Sequence, residues 1–415
     1  MALAKLENIL IIGAGQAASQ AANSLRQLGF QGRIRIFGNE GQPPYQRPPL
    51  SKAYMLGQMP AERLFFKAEE QWEKDNIDLK IDEEIISIDA VNKSIKSKTG
   101  NQYEYDKLII ATGSKVRHLP AQGAQLSGVH YLKTIKDSDD LGAELDNAKN
   151  LVIIGAGYIG LEVAACAQKK GLNVTIIEAA PRILARVASP ELSQFYENVH
   201  ESAGVKILTQ SGVAKINGAQ KVESVTLGDG TNIDADVVLI GIGIIPNDEI
   251  AKSAGIICNN GIDVDENAKT SNPDIYACGD CANRMVDLYG QRMRLESVHN
   301  AIEQAKLAAA NIMGQNAPKL DVPWFWSDQY DLKLQIAGLA IGATKTIIRG
   351  DMAARKFALF HIDDENRILA IDAINSPPEF LVGKNLIAAR AKIAPHILQD
   401  TNISVKELAN HTKLI

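Results

Sequence analysis

Two copies of one short glycine pattern constrain this chain more than any other feature. The first, Gly13-Ala14-Gly15-Gln16-Ala17-Ala18, follows the apolar run Asn8-Ile9-Leu10-Ile11-Ile12. The second, Gly155-Ala156-Gly157-Tyr158-Ile159-Gly160, follows Leu151-Val152-Ile153-Ile154. A lone Gly-x-Gly-x-x-Gly is weak evidence, but each copy here leads into an Ala-rich helical pattern (19–28 and 161–170), a second strand and an acidic residue. The first glycine permits a tight turn and the second lets backbone approach a pyrophosphate. The third position must be small so that helix packs on strand. The pyrophosphate then sits at the positive end of the helix. In the first copy Ala18 takes the place of the third glycine. Two such units predict two dinucleotides on one chain, an arrangement suited to hydride transfer from a nicotinamide to a flavin.

The acidic residues sharpen this. Glu40 follows the strand pattern over 33–37 and Glu178 follows that over 173–177, each where a carboxylate can accept from an adenosine ribose. At the second site a carboxylate accepts from the 2'-hydroxyl and repels a 2'-phosphate, which favours NADH over NADPH. Arg182 and Arg186 follow closely and weaken that preference.

A length of 415 residues allows two or three domains. The net charge of −5 argues against nucleic-acid binding through bulk electrostatics. No apolar run is long enough to span a bilayer. The start, Met1-Ala2-Leu3-Ala4-Lys5-Leu6-Glu7, lacks the apolar core and cleavage site of an export signal, so a cytoplasmic location is expected. Of the four cysteines, Cys166, Cys258, Cys278 and Cys281, the last two form a Cys-x-x-Cys pair. It reads either as a redox disulfide or as two small residues flanking a Gly279-Asp280 turn. The second reading is favoured, because the pair lies inside a longer motif over 270–283. With no second ligand pair, zinc is disfavoured and no metal site is predicted.

Between the fingerprints, Pro43-Pro44-Tyr45-Gln46-Arg47-Pro48-Pro49-Leu50-Ser51-Lys52 is a rigid stretch that holds Arg47 and Lys52 as positioned cations. It is expected to run into a helix capped by Ser51. Residues 77–110 alternate as antiparallel strands, and a strand over 105–111 leads to the tight crossing Thr112-Gly113-Ser114. A second glycine-rich turn, Gly241-Ile242-Gly243, follows the strand pattern over 237–240. A short strand delivers Asp280, and an amphipathic helix spans 298–313. From Val322 the texture changes, with Pro323-Trp324-Phe325-Trp326-Ser327-Asp328-Gln329, alternating strands over 334–374 and two short helices.

This order of elements resembles the two-dinucleotide flavoproteins built on the glutathione-reductase plan. The resemblance implies an α/β fold: two Rossmann-like dinucleotide-binding domains followed by a C-terminal α+β domain. FAD would occupy a split domain (1–115 and 245–320), NADH an inserted one (116–244), with 321–415 as the third. Residues 1–165 contain no cysteine, so the dithiol and single-thiol chemistries of that plan have no carrier beside the flavin. The Pro44–Lys52 and Pro323–Gln329 motifs instead resemble the ferredoxin reductase components of bacterial oxygenase systems. Such proteins pass electrons from NADH through FAD, one at a time, to an acidic [2Fe-2S] ferredoxin that feeds a cytochrome P450 or Rieske oxygenase.

The resemblance also implies residue roles. Lys52 and Glu162, the latter expected on the first turn of its helix, would pair beside the flavin nitrogen, where a cation stabilises the anionic reduced ring. Gly13, Gly15, Ala18, Glu40, Arg47, Thr112, Gly113 and Asp280 would hold FAD, and Trp324 and Trp326 would line its exposed edge. Gly155, Gly157, Gly160 and Glu178 would hold NADH, with Tyr158 gating the nicotinamide pocket and Glu296 holding the carboxamide. His299 is expected to be structural. Arg63, Lys67, Arg292 and Arg294 are candidates for a ferredoxin-facing surface. Two readings stand beside this one: an NADH oxidase or rubredoxin reductase, and an NADH-binding redox protein similar to apoptosis-inducing factors.

Overall fold

The computed structural model describes residues 6–411, so most of the N-terminal segment read above for an export signal lies outside the described residues. The chain divides into two compact units. One comprises Met1–Gln46, Ala61–Lys115 and Ile245–Asp321, and the other Arg47–Pro60, Val116–Ile244 and Val322–Ile415.

In the first unit a five-stranded parallel sheet runs in the order Ile275–Ala277, Lys107–Ile110, Asn8–Ile12, Arg33–Phe37, Ile77–Lys80. Its two central strands, Asn8–Ile12 and Lys107–Ile110, are apolar after their first residue because both faces are covered. On one face the helices Gln16–Gln27 and Val298–Ile312 meet through alanines, Ala17, Ala18, Ala21 and Ala22 against Ala301, Ala305, Ala308 and Ala309. The other face is buried against Ile88 and Ile95 of the antiparallel ribbon formed by Ile85–Asp89, Ser94–Ser97 and Gln102–Glu104. The strand expected over 105–111 is shorter, Lys107–Ile110.

The second unit repeats the plan. Its parallel sheet runs Lys206–Leu208, Asn173–Ile177, Asn150–Ile154, Val237–Ile240, Val129–His130, and its ribbon is Val213–Asn217, Ser224–Leu227 and Asn232–Asp234. Arg47–Pro60, expected with the first nucleotide domain, packs here instead. Its prolines start a single 3-10 turn, Pro48–Ser51, and turns follow it in place of the expected helix. Leu50 is buried in it, and Ser138 Oγ donates to the Leu50 carbonyl at 2.8 Å.

The same unit holds a five-stranded antiparallel sheet in the order Trp324–Gln329, Leu332–Gly338, Ile368–Ile374, Lys356–Ile362, Lys345–Asp351. Side chains alternate across it. Phe325, Ser327 and Gln329 lie on the face against the helices Tyr158–Lys169 and Pro190–Ser202, where Phe195 also meets Phe357 edge-on at 4.8 Å between centroids. On the other face Trp324 packs on Phe380 of the helix Pro377–Ala388. Among the described residues no helix is long and apolar enough to cross a membrane.

Candidate functional site

Both fingerprint helices begin without a side-chain cap. The N-cap residues are Gly15 and Gly157, and neither end receives a side-chain hydrogen bond. The helices Ile135–Leu145, Pro190–Ser202 and Val298–Ile312, by contrast, are capped by Thr134, Ser189 and Ser297. A β-carbon added at Gly15 or Gly157 would meet nothing within 4 Å. The first N–H groups of each helix are thus left without a side-chain acceptor beside an uncrowded N-cap glycine, which is what a pyrophosphate requires.

The neighbouring glycines serve the turn itself. Gly13 has φ +109°, and a β-carbon there would lie 2.1 Å from the Ala111 carbonyl oxygen. Gly155 repeats this with φ +104° and the Gly241 oxygen at 2.4 Å. At Gly160 the obstacle is the Gly155 oxygen, also 2.4 Å away, whereas Ala18 fits fully buried in the first copy.

Around the first turn, Thr112 Oγ1 donates to the Asn247 carbonyl at 2.6 Å, and Asn247 Nδ2 returns a bond to the Thr112 carbonyl at 3.0 Å. Gly113 follows at φ +64°. Ser114 Oγ donates to Asp280 Oδ2 at 3.1 Å, so the short strand Ile275–Ala277 carries Asp280 to this crossing. The amide of Gly279 donates to the Oε1 of buried Gln304 at 2.7 Å. Glu40 accepts from the Tyr45 hydroxyl at 2.5 Å.

Cys278 and Cys281 flank this turn as free, fully buried thiols, and Cys281 Sγ donates to the Ile110 and Cys278 carbonyls. Burial pushes both thiols up in pKa, Cys278 well above the ordinary value. A thiol held protonated is a poor redox nucleophile, which accords with their reading as small turn residues. Among the described residues no group of three or more His, Cys, Asp or Glu side chains could hold a metal ion.

At the second turn Glu178 folds back over the fingerprint. Its Oε2 accepts from the Ala156 amide and its Oε1 from the Ala180 amide, both at 2.8 Å. Arg182 is committed elsewhere: it donates to the Ser193 hydroxyl and to the Ala185 and Ser189 carbonyls. The Arg186 guanidinium lies exposed beside Gly243, in the loop that faces the fingerprint turn.

A buried polar cluster stands below that helix. Lys52 Nζ is 2.7 Å from Glu162 Oε2, which also accepts from Ser51 Oγ at 2.5 Å, and Glu162 Oε1 accepts from Ser327 Oγ at 2.6 Å. Glu162 sits on the second turn of Tyr158–Lys169, not the first, and is only 4 % exposed. It is therefore a core acceptor rather than a surface charge at a helix end. Ser51 is not a helix cap; its hydroxyl is spent on this carboxylate. Tyr158 tilts onto Phe325 at 4.9 Å between centroids. Its buried hydroxyl has no hydrogen-bond partner among the described residues. Burial, with Asp372 second, pushes that phenol well above its ordinary pKa.

The remaining expected residues are placed as follows. Arg47 Nη1 donates to the Lys133 carbonyl at 2.7 Å. Glu296 pairs with Arg294 at 2.5 Å in the first unit, and Arg294 also reaches the Asp280 carbonyl. Trp324 and Trp326 stack at 5.4 Å on the sheet face opposite Ser327. Lys67 pairs with Asp75 over the Trp72 ring, and Arg292 donates to the Val264 and Asn283 carbonyls. Both cations are thus internally engaged, unlike exposed Arg63. His299 lies on the first turn of its helix. Sequence reasoning missed Ser51, Ser327 and Gln329 as functional groups. The available signal was Phe325, Ser327 and Gln329 at alternate positions, two polar side chains on one strand face.

Comparison with known proteins places this geometry. The pyridine nucleotide-disulphide oxidoreductase family matches residues 7–305, and the reductase C-terminal family matches 324–409. A probable ferredoxin reductase of Castellaniella defragrans is 42% identical over 405 residues, 97% of this chain and 99% of that protein. Putidaredoxin reductase of Pseudomonas putida is 40% identical over 408 residues, 97% of this chain and 96% of its own. The crystal structure of the covalent putidaredoxin reductase–putidaredoxin complex superposes with a TM-score of 0.96 at 38% identity, covering 99% of each chain.

Proposed function

The chain belongs to the pyridine nucleotide-disulphide oxidoreductase family, and on that footing we propose that it is an NADH-dependent FAD reductase delivering single electrons to an acidic [2Fe-2S] ferredoxin of an oxygenase system. The observation that carries this reading is the pair of helix starts on one chain whose N-caps are glycines with no side-chain bond. When bound, the flavin accepts an electron pair from the nicotinamide and releases it singly.

The protein's own residues bind and orient. Gly13, Gly15 and Ala18 cradle the FAD pyrophosphate, with Glu40 for its ribose and Thr112, Gly113 and Asp280 at the crossing turn. Gly155, Gly157 and Gly160 do the same for NADH, and Glu178 meets the 2'-hydroxyl. Arg182, spent on internal partners, offers no cation to a 2'-phosphate. Lys52, oriented by Glu162, supplies the positive charge that favours the reduced ring. Tyr158, packed on Phe325, gates the nicotinamide pocket. All four cysteines are free, as befits the cytoplasm, the compartment we assign to it.

Anaerobic stopped-flow at the flavin band tests the reading, with NADH and NADPH in parallel and a [2Fe-2S] ferredoxin added second. Fast bleaching by NADH and reoxidation by the ferredoxin is the expected result. Faster reoxidation by rubredoxin or oxygen would reassign the acceptor. A persistent charge-transfer band that ferredoxin does not discharge would point to a binding role instead.

A further inference from the structure

A line of buried hydrogen bonds leads from the Glu162 carboxylate to the protein surface, and every donor in it points the same way. Ser327 Oγ donates to Glu162 Oε1 at 2.6 Å, and Gln329 Nε2 donates to Ser327 Oγ at 3.2 Å. His200 Nε2 lies 2.9 Å from Gln329 Oε1, and the Tyr330 hydroxyl lies 3.1 Å from His200 Nδ1. A carbamoyl oxygen only accepts, so His200 carries its proton on Nε2 and accepts the Tyr330 hydroxyl's hydrogen bond at Nδ1. Gln329, Ser327 and His200 are at most 1 % exposed, so water does not compete. Tyr330, 37 % exposed, closes the line at the two-residue turn between the strands Trp324–Gln329 and Leu332–Gly338. Burial, opposed by the Gln329 bond, holds His200 neutral down to about 4, which keeps Nδ1 free to accept.

We propose that His200 and Gln329 are positioning residues for the Lys52–Glu162 pair. Hydrogen bonds aligned head to tail in a low-dielectric interior polarise one another. Here the summed polarisation is delivered to one carboxylate oxygen while Lys52 and Ser51 hold the other. The line meets part of the carboxylate's demand for positive charge and so leaves the Lys52 ammonium available to the flavin. Without it, Glu162 draws harder on Lys52 and the reduced flavin is less stabilised. The line joins the helix Pro190–Ser202 to the first strand of the C-terminal sheet, which gives that sheet a part in setting the redox site. The proposal rests on the reading of Lys52–Glu162 as flavin-facing.

The test uses the full-length holoenzyme as wild type, Q329L, Y330F, F195L and E162Q, with two readouts. One is the nitrogen NMR signature of the His200 ring; the other is the flavin's redox equilibrium against a reference dye. The expected results are a neutral, Nε2-protonated His200 and, in Q329L, a shift toward oxidised flavin on the order of fivefold, about one hydrogen bond's worth. Y330F shifts the same way by less. F195L thins the same interface without touching the line, so it lowers stability and leaves the equilibrium in place. An Nδ1-protonated ring overturns the proposal, as does a Q329L equilibrium no different from that of F195L. Should Q329L fail to fold, the tautomer and the surface variant Y330F decide. If E162Q leaves the equilibrium at its wild-type value, the flavin-facing reading of the pair fails, and the tautomer still decides the hydrogen-bond line.

Discussion

The Lys52 ammonium lies 2.7 Å from Glu162 Oε2, although the two positions are 110 apart in the chain. The contact is nearly dry, with side-chain exposures of 18% and 5%. Removing one partner of a buried pair leaves the other uncompensated. Glu162→Leu is therefore expected to destabilise the protein by roughly 3 kcal/mol in urea unfolding. Lys52→Met is expected to slow flavin reduction by NADH roughly 100-fold, as the loss of one preorganised charge-stabilising group does. A Lys52→Met enzyme reduced at the wild-type rate would remove the pair from the redox site.

The glycines of the fingerprints separate into two kinds by what a side chain would strike. Gly13→Ala forces a left-handed backbone and a 2.1 Å approach to the Ala111 oxygen, so it should lower the melting temperature of the apoprotein. Gly15→Ala meets nothing within 4 Å in the protein, so the apoprotein should melt normally while FAD retention falls sharply. Parallel melting and flavin-titration curves would check both. A Gly15→Ala protein that keeps FAD at full affinity would show that no ligand approaches this turn.

Coenzyme choice should turn on Glu178. Replacing it by Ser removes the acceptor for a ribose 2'-hydroxyl and is expected to lower kcat/KM for NADH roughly 10–100-fold, the worth of a charged hydrogen bond. NADPH use should rise, because the carboxylate that repels a 2'-phosphate is gone while the exposed Arg186 remains beside Gly243. Adding Arg186→Ala should cancel that rise. Steady-state kinetics with both coenzymes reads all three expectations.

Two buried histidines should tilt stability against pH in opposite directions. Burial, only partly offset by the Gln329 bond, depresses His200 to about 4, against about 6.5 in an unfolded chain. Between those values the unfolded state binds a proton that the folded state refuses. Stability therefore falls as pH drops from about 6.5 to about 4, by roughly 3 kcal/mol in all. For His361, burial opposes the charge but is outweighed by Asp372, 2.8 Å away, and by Glu191, so its pKa is raised. Its contribution is full below about 6.5 and is lost as pH rises through the folded value. Unfolding free energies from pH 4 to 8 should lose the acid slope in His200→Gln and the alkaline slope in His361→Asn.

Buried cysteines should be inert. With the thiols of Cys278 and Cys281 protonated by burial, native protein at pH 8 is expected to resist alkylation at both. Mass spectrometry after iodoacetamide treatment checks this, with the unfolded chain as the positive control.

Local chemistry was legible from the residues alone. Strand, glycine turn and helix are consecutive in each fingerprint, so turn geometry, helix starts and the places of Glu40 and Glu178 follow from spacing of a few residues. The change of texture at Val322 likewise marks the start of a separate sheet, whose first strand is Trp324–Gln329. Prolines at 48 and 49 mark a locally fixed backbone in the sequence, and the fold places one 3-10 turn there.

Residue order alone therefore dictates the two glycine turns and their helix starts without side-chain caps, because their physics is carried by backbone conformations that neighbouring residues enforce. Folding in three dimensions was needed to settle where Glu162 points, that Arg47–Pro60 packs with the second unit, and that Ser51, Ser327, Gln329 and His200 converge on one buried line. The Ser51–Glu162, Ser327–Glu162 and His200–Gln329 contacts bridge more than a hundred residues and are chosen by desolvation. A polar side chain shut away from water must find its donor or acceptor wherever the packed core brings one, and no local pattern records which segment that will be.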